Sequence, residues 1–318
     1  MRSNFLRGSN LIAAATLAIG LLSTSAHADD KPKVFALVPK VVGVPFYADV
    51  EKGCNDEAKK IGATCLFTGP AQADEAEQNK FVRDLITKGI DGLAVAPNNP
   101  ASIASVIKAA QAKGIPVVTF DSDAPASGRV SFIGTNNKAG GVEGGKAFHA
   151  ALPGGGKFAV ITGGLAADNL NQRIAGFKEG LGSGYVEVAG SPFPCNDDAN
   201  AAIQIIQDVL TKNPDINGFF FAGGWPMFAP EAFSRALKTR QADIKAGKFV
   251  VVSFDTLDSQ LKLLKEGYAT TLIGQRPYGM GVRSVDALNI LAGKGTVDPV
   301  IDTGVDVVSS ANIDKFLK

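Results

Sequence analysis

Two carboxylates directly follow one apolar run: the segment VVTFDSDAP (117–125) contains Asp121 and Asp123. A carboxylate can accept hydrogen bonds from two neighbouring hydroxyls, and such charge-assisted bonds are about twice as strong as neutral ones. Paired acids also occur in glycosidases, where they flank the scissile bond, but residues two positions apart on one turn cannot do so. The pair therefore indicates binding of a polar ligand, with a local turn as the alternative for Asp123.

Other polar or aromatic side chains stand in the same kind of position, at the end of an apolar run. Lys40 follows KVFALVP, Asn98 follows GLAVAP, and Asp255 follows VVVSF. Trp225, the only tryptophan, follows FFFAGG, and Gln275 follows TTLIG. Because ligands of open parallel α/β sheets bind outside the carboxyl ends of the strands, we expect these side chains to line a cleft. A structural ion pair for Lys40 and a packed loop anchor for Trp225 are the alternatives.

The elements that would position these residues alternate along the chain. Short apolar runs, typical of parallel strands covered on both faces, are each followed by a helical pattern and a turn rich in Gly or Pro. One series covers 33–121, and a second starts at 130, with a Gly-rich break LPGGG after its first helix. In the second series we place one helix at 197–212. The pattern predicts an α/β protein with two doubly wound parallel-sheet lobes.

The first 28 residues have the organisation of a secretory signal peptide. Arg2 and Arg7 precede an apolar run of 12 residues, which is too short to span a bilayer because a span needs about 20. The run is followed by SAHA, an A-x-A pattern. We predict cleavage after Ala28 and export to the periplasm. We expect no lipid anchor, because the residue directly after this site is Asp29 and not a cysteine.

The predicted mature chain is nearly neutral. Removing residues 1–28 takes away two arginines and no acid, which leaves 30 basic and 31 acidic side chains. With no basic run, we expect no nucleic-acid partner. His149 is the only histidine after residue 28, so we expect no metal site. With no nucleophile-elbow or phosphate-loop motif, we expect neither a cofactor nor catalysis.

Three cysteines in an exported protein permit a disulfide. Cys54 lies about two helical turns before the chain reversal at KKIGAT, and Cys65 a few strand residues after it, so each is about 10 Å from the reversal. Either a Cys54–Cys65 disulfide or two buried thiols fits this spacing. Cys195 is expected to be unpaired.

Several longer motifs resemble the type I periplasmic sugar-binding proteins, the ribose-binding-protein-like receptors of ABC transporters. VGVPFYADVEKG (42–53) resembles the N-P-F-F helix start of that family. IPVVTFDSDAPASGRVSFIGTNN (115–137) resembles its I-P-V-x-x-x-D and I-G-T/S-x-N segments. NQRIAGF (171–177) resembles R-x-x-G-F, and VVSFD (251–255) with TLIGQRPYGMG (271–281) resembles the late F-D and Q-x-P-x-x-x-G. The likeness runs in order along essentially the whole mature chain.

The resemblance implies the type I fold, in which two lobes are joined by a three-segment hinge. By analogy the crossings lie near residues 135, 275 and 305. The N-terminal lobe would then comprise 29–135 plus 276–304, and the C-terminal lobe 136–275 plus 305–318.

The resemblance also implies a ligand site. Phe46 and Tyr47 would sandwich a sugar ring, while Asp121, Arg173, Asp255 and Gln275 would hydrogen-bond its hydroxyls. Further candidates are Asn98, Asp123, Asn171 and Trp225. LVPKVVGVPFY, with FTGP and DSD, is similar to the subgroup that holds rhamnose, a furanosyl autoinducer and related ligands, in which the equivalents of Lys40 and Asp168 touch the ligand.

Two departures from the family pattern bear on the ligand. Val44 stands where many members carry Asn, and Gly224 and Trp225 stand where many carry Asn-Asp. We therefore do not expect a ribose pocket, and the ligand stays open among small polyhydroxylated molecules.

The resulting hypothesis is a monomeric periplasmic receptor that binds a monosaccharide or polyol in the interlobe cleft and delivers it to an ABC permease in the inner membrane. The alternative is a receptor for a furanose-like signal molecule that feeds a sensor or chemoreceptor. A carbohydrate-active enzyme is a further alternative, for which turnover of a glycoside would be the evidence. A lactose-repressor-type regulator shares the fold, but the signal peptide and the lack of a helix-turn-helix motif argue against it.

Overall fold

The computed structural model describes Met1 and residues 31–317 of the 318-residue chain. The expected signal peptide, apart from Met1, and the expected cleavage site lie outside the described residues. Pro32–Lys318 form one structural unit. Within its described part, no helix is both long and apolar enough to cross a membrane.

Strands and helices alternate along this unit. The strands are β1 (Val34–Val38), β2 (Thr64–Phe67), β3 (Gly92–Val95), β4 (Val117–Phe120), β5 (Ser131–Gly134), β6 (Gly156–Thr162), β7 (Tyr185–Glu187), β8 (Phe193–Pro194), β9 (Gly218–Phe221), β10 (Val250–Phe254), β11 (Thr271–Gly274), β12 (Val300–Asp302) and β13 (Asp306–Ser309). The α-helices are α1 (Pro45–Lys60), α2 (Glu75–Lys88), α3 (Pro100–Ala112), α4 (Asn137–Ala151), α5 (Asp168–Leu181), α6 (Ala199–Lys212), α7 (Pro230–Ala236), α8 (Gln241–Lys245), α9 (Asp258–Glu266) and α10 (Pro277–Ala292).

The strands form two sheets. In the first, the order is β12-β5-β4-β3-β1-β2, and all neighbouring strands are parallel. In the second, the order is β13-β11-β10-β9-β6-β7, with β8 beside β6, and only β11 and β13 are antiparallel. The predicted class, α/β with two doubly wound and mainly parallel sheets, is confirmed.

Each sheet reverses its strand order beside its first strand, between β1 and β3 in one sheet and between β6 and β9 in the other. At such a point the connections leave in opposite directions, and a crevice opens at the carboxyl ends of the strands. Residues that follow β1 and β3, or β6 and β9, therefore flank a crevice, and residues that follow β4 and β10 lie one strand further along the same edge.

The chain passes between the sheets at three places: after Gly134 of β5, after Gly274 of β11, and after Asp302 of β12. Helix α10 packs on α1 and on the first sheet, while α4 packs on α5 and on the second. The lobe boundaries given above remain our proposal, and this distribution of elements supports it.

Glycine allows α4 and α5 to approach closely. A Cβ atom on Gly141 of α4 would collide with the carbonyl oxygen of Arg173 in α5, and one on Gly176 of α5 would collide with the carbonyl oxygen of Lys138. Larger residues at these two positions would therefore push the helices apart. The contact sets the position of α5, which carries Arg173.

Each lobe has a core against its sheet. Strands β3, β4, β5, β9, β10 and β11 are buried along their whole length, as expected for sheets covered on both faces. In the second lobe, Phe177 stacks on Phe220 with ring centroids 4.0 Å apart. In the first, a disulfide joins Cys54 of α1 to Cys65 of β2, which is the bonded one of the two alternatives. Cys195 is a buried free thiol.

Candidate functional site

A pocket lies between the two lobes, at the carboxyl ends of their strands. The empty space between its walls is about 380 Å³, a figure that includes space open to solvent. The residues that line it are Lys40, Val41, Val44, Phe46, Tyr47, Asp121, Asn169, Leu170, Arg173, Asp197, Gly223, Trp225, Phe228, Asp255 and Gln275. Eight of the twelve residues proposed from the sequence are among them.

Asp121, directly after β4, is held by residues of both lobes. Its carboxylate accepts a hydrogen bond from the Tyr47 hydroxyl at 2.8 Å and one from the Asn169 side-chain amide at 3.2 Å. The Arg173 guanidinium lies 3.7 Å from the same carboxylate. Burial raises the pKa of Tyr47 well above its usual range, so this phenol stays a hydrogen-bond donor. The carboxylate is thus oriented, and it retains acceptor capacity for a ligand.

Asp255, directly after β10, forms the corresponding centre of the second lobe. It accepts hydrogen bonds from the Gly224 backbone amide at 2.9 Å and from the Gln275 side-chain amide at 2.6 Å. Burial raises the pKa of Asp255, while the nearby Arg173 charge and these hydrogen bonds oppose the shift. The protein therefore holds a carboxylate here against its cost of desolvation.

Arg173 connects these groups from the side of α5. Its guanidinium donates to Asn137 at 2.8 Å, to the Ala222 carbonyl at 2.9 Å and to Gln275 at 2.7 Å. It also lies over the Phe254 ring, 4.3 Å from the centroid. Burial lowers the pKa of Arg173 and the neighbouring aspartates raise it. A guanidinium has five N–H donors, and these bonds use three of them.

Lys40, two residues after β1, is 2% exposed. Its ammonium donates to the side-chain oxygen of Asn169 in the other lobe at 2.7 Å. Burial lowers the pKa of Lys40, and the charges of Asp121 and Asp197 partly restore it. Of the two readings from the sequence, the structure favours the pocket, because Lys40 lines it and makes no ion pair within 4.0 Å among the described residues.

Aromatic and aliphatic side chains form the remaining walls. Phe46 and Tyr47 contact each other edge to face, with centroids 5.2 Å apart and planes at 83°. This arrangement leaves no space for a sugar ring between them. The expectation that Phe46 and Tyr47 sandwich the ring is therefore not met in the structure. Trp225 and Phe228 line the pocket from the second lobe. A ring bound here would be covered by aromatics from both lobes.

Two of the proposed acids lie outside this pocket. Asp123 accepts hydrogen bonds from Thr119 and the Ala124 amide and forms an ion pair with Arg129, so its turn is a structural one. Asp168, the first residue of α5, accepts from Gln172 at 2.6 Å. Both face a separate hollow.

Two of the proposed amides also lie outside it. Asn98 donates to the carbonyl oxygen of Lys40 at 2.9 Å, and so supports the loop that carries Lys40. Asn171 is exposed and donates to the carbonyl oxygen of Leu165 at 3.0 Å. The first turn of α5 directs Asn169, rather than Asn171, to the pocket.

Two polar residues that line the pocket, Asn169 and Asp197, are not among those proposed from the sequence. The sequence pattern predicts a helix at 197–212 that would include Asp197, whereas α6 starts at Ala199 and Asp198 is its N-cap, accepting from the Ala201 amide. Asp197 therefore belongs to the connection after β8. The signal that could have found it is the polar run CNDD at the end of a strand, the same signal that identified Asp121.

Residues 35–295 match the family model described as periplasmic binding protein domain. An ABC transporter solute-binding protein from Burkholderia graminis C4D1M, solved in complex with D-arabinose, is 37% identical, with a TM-score of 0.81 over 92% of this chain and 100% of that one. A solute-binding protein from Agrobacterium vitis with bound D-fucose is 32% identical, with a TM-score of 0.81 over 89% and 97%. The D-allose-binding periplasmic protein of Escherichia coli (strain K12) is 28% identical over 90% of this chain and 92% of its own.

Proposed function

Because this chain belongs to the periplasmic binding protein domain family, we propose that it is a periplasmic receptor that binds a neutral monosaccharide or polyol between its lobes and delivers it to an ABC permease. The observation that carries the proposal is the pocket in which the Asp121 and Asp255 carboxylates and the Arg173 guanidinium are fixed beside aromatic walls. The ligands of the related solute-binding proteins, D-arabinose and D-fucose, support the ligand class.

The groups in the pocket suit a sugar for a physical reason. A sugar presents hydroxyls along its edge, where carboxylates and guanidinium groups make charge-assisted hydrogen bonds. Its C–H groups can lie against Phe46 or Trp225, which excludes water. Opposite charges such as Asp121 and Arg173 compensate each other, so the buried pocket does not contain an isolated charge.

Delivery would depend on the relative position of the lobes. Asn169 of one lobe bonds Lys40 and Asp121 of the other, and three connections join the lobes. A ligand that contacts both lobes would stabilise this closed arrangement over an open one. A permease could then distinguish the loaded receptor from the empty one. We propose that binding involves no covalent chemistry and that the protein acts as a monomer.

The test is a binding titration of the protein from residue 29 onward. Pentoses, hexoses, 6-deoxyhexoses and polyols are titrated by calorimetry and by the fluorescence of Trp225, the only tryptophan. We expect saturable binding of at least one neutral sugar and a higher melting temperature in its presence. Turnover of a glycoside would contradict the proposal, as would the absence of heat, of a fluorescence change and of a melting shift across the panel.

A further inference from the structure

Asp197 is a pocket residue that the binding scheme above does not use. It lies in the connection between β8 and α6 and lines the pocket opposite the first lobe. Burial raises the pKa of Asp197, and the nearby Trp225 side chain opposes this shift. Both carboxylate oxygens lie 2.9 Å from the position that a Cβ on Gly163 would occupy. The carboxylate is therefore held between Trp225 and the end of β6, in a place that only glycine at 163 leaves free.

Lys40 lines the same pocket from the first lobe. Of its three N–H donors, one is used by Asn169 at 2.7 Å. Asp197 and Lys40 each shift the pKa of the other, yet they form no ion pair within 4.0 Å. The two opposite charges thus act on each other across the pocket without direct contact.

We propose that Asp197 is a specificity-determining residue that, together with Lys40, holds one hydroxyl of the ligand. The hydroxyl accepts a hydrogen bond from the Lys40 ammonium and donates one to the Asp197 carboxylate. This inference rests on the proposed function. A hydroxyl fits because it is donor and acceptor at once.

An acidic ligand group does not fit the same place. A carboxylate or phosphate oxygen has no proton to donate to Asp197, and it would add a negative charge to a pocket with three carboxylates and two cations. Like charges at close range are unfavourable, more so in a site of low dielectric. Asp197 therefore selects neutral sugars over sugar acids.

The backbone of Asp197 identifies a suitable variant. Asp197 has φ 60°, in the left-handed region, which Asn tolerates better than other non-glycine residues. Asp197→Asn removes the charge and keeps the shape and the backbone preference. Asp208→Asn is the matched control, because Asp208 is exposed on α6 and its partner is Gln204.

The experiment compares wild type, Asp197→Asn and Asp208→Asn by calorimetry, with D-arabinose, D-fucose and D-allose as neutral probes and D-galacturonate as the acidic probe. We expect Asp197→Asn to weaken the best neutral probe by about tenfold or more, the effect of losing a charged hydrogen bond. The ratio of the Kd for D-galacturonate to the Kd for that neutral probe should be smaller in Asp197→Asn than in wild type. Without ligand its melting temperature should equal or exceed that of wild type, and Asp208→Asn should match wild type throughout.

The outcomes separate this inference from the proposed function. Wild-type affinity in Asp197→Asn would overturn the inference and leave the receptor function standing. A lower melting temperature of the ligand-free variant, with weaker binding, would make Asp197 a structural residue and also overturn it. If wild type binds none of the neutral probes and no other neutral sugar or polyol, the proposed function itself fails.

Discussion

At the residue scale, the pocket combines buried charge with unusual backbone geometry. Asp121, Asp197 and Asp255 have φ values of 57°, 60° and 74°, a left-handed conformation that costs most non-glycine residues about 1–2 kcal/mol and costs Asp less than most. Such strain is found where the surrounding structure holds a residue in place for function. The backbone conformation of these three pocket residues therefore lowers the stability of the fold, which is consistent with a functional role for their carboxylates.

The desolvation of Asp255 predicts a pH-dependent effect of removing its charge. The pKa of Asp255 is raised from 3.8 in the fold, mainly by burial, so the ionised form destabilises the protein at pH values above the folded pKa, and the cost disappears at low pH. We therefore expect the melting temperature of Asp255→Asn, minus that of wild type, to increase as the pH rises from about 4 to 8.

The control for this measurement is Asp215→Asn. The Lys157 ammonium lowers the pKa of Asp215, so Asp215 adds stability that is present at high pH and lost as the pH falls through its folded pKa. The melting temperature of Asp215→Asn, minus that of wild type, should therefore decrease as the pH rises. If the difference in melting temperature between Asp255→Asn and wild type is the same at all pH values, the desolvation of Asp255 has no cost in stability.

At the scale of the elements, the site depends on how closely α5 approaches α4. Arg173 reaches Asn137 and the end of β9 because its helix lies against glycine positions of α4. The position of the guanidinium is thus determined by backbone packing rather than by its own side-chain contacts alone.

We therefore predict that Gly141→Ala lowers both stability and ligand affinity. The added Cβ would meet the Arg173 carbonyl oxygen, and relieving this overlap should cost about 1–3 kcal/mol of unfolding free energy. The shift of α5 should also move Arg173 away from the pocket. Chemical denaturation and calorimetry measure the two effects. Gly154→Ala, where nothing lies within 4 Å of the new atom, is the control, and equal behaviour of the two variants would refute the prediction.

At the scale of the whole molecule, the sequence predicted the architecture better than the details of the site. Alternating apolar runs and helices predicted both sheets, and the strand-end rule located Asp121, Asp255 and Gln275. The partner of Asp123 could not be predicted, because Arg129 meets it only after the chain folds back. Asp197 lies two residues before α6, and the sequence pattern does not locate the start of a helix that closely.

The contacts between the lobes could not be predicted from sequence either, because they depend on how two separately folded sheets are brought together. Lys40 and Asp121 follow strands of the first sheet, and Asn169 lies at the start of α5 beside the second. Asn169 contacts both of them. It is 2% exposed, so this amide forms a buried polar link across the cleft. Buried links of this kind are costly to break, because their polar groups lose their partners.

The link predicts that Asn169→Ala shifts the molecule towards an open arrangement. Without sugar, the variant should have a larger radius of gyration than wild type in small-angle X-ray scattering. Lys40 would lose its hydrogen-bond partner in the other lobe, and Asp121 would lose one of its two partners there, keeping the Arg173 guanidinium at 3.7 Å. A saturating sugar should bring both proteins to the same compact value, since ligand contacts replace the missing link, at the expense of a higher Kd for the variant. Gln207→Ala, an exposed amide on α6, should behave as wild type. If Asn169→Ala scatters like wild type without sugar, the lobes are held together by their other contacts and Asn169 does not control closure.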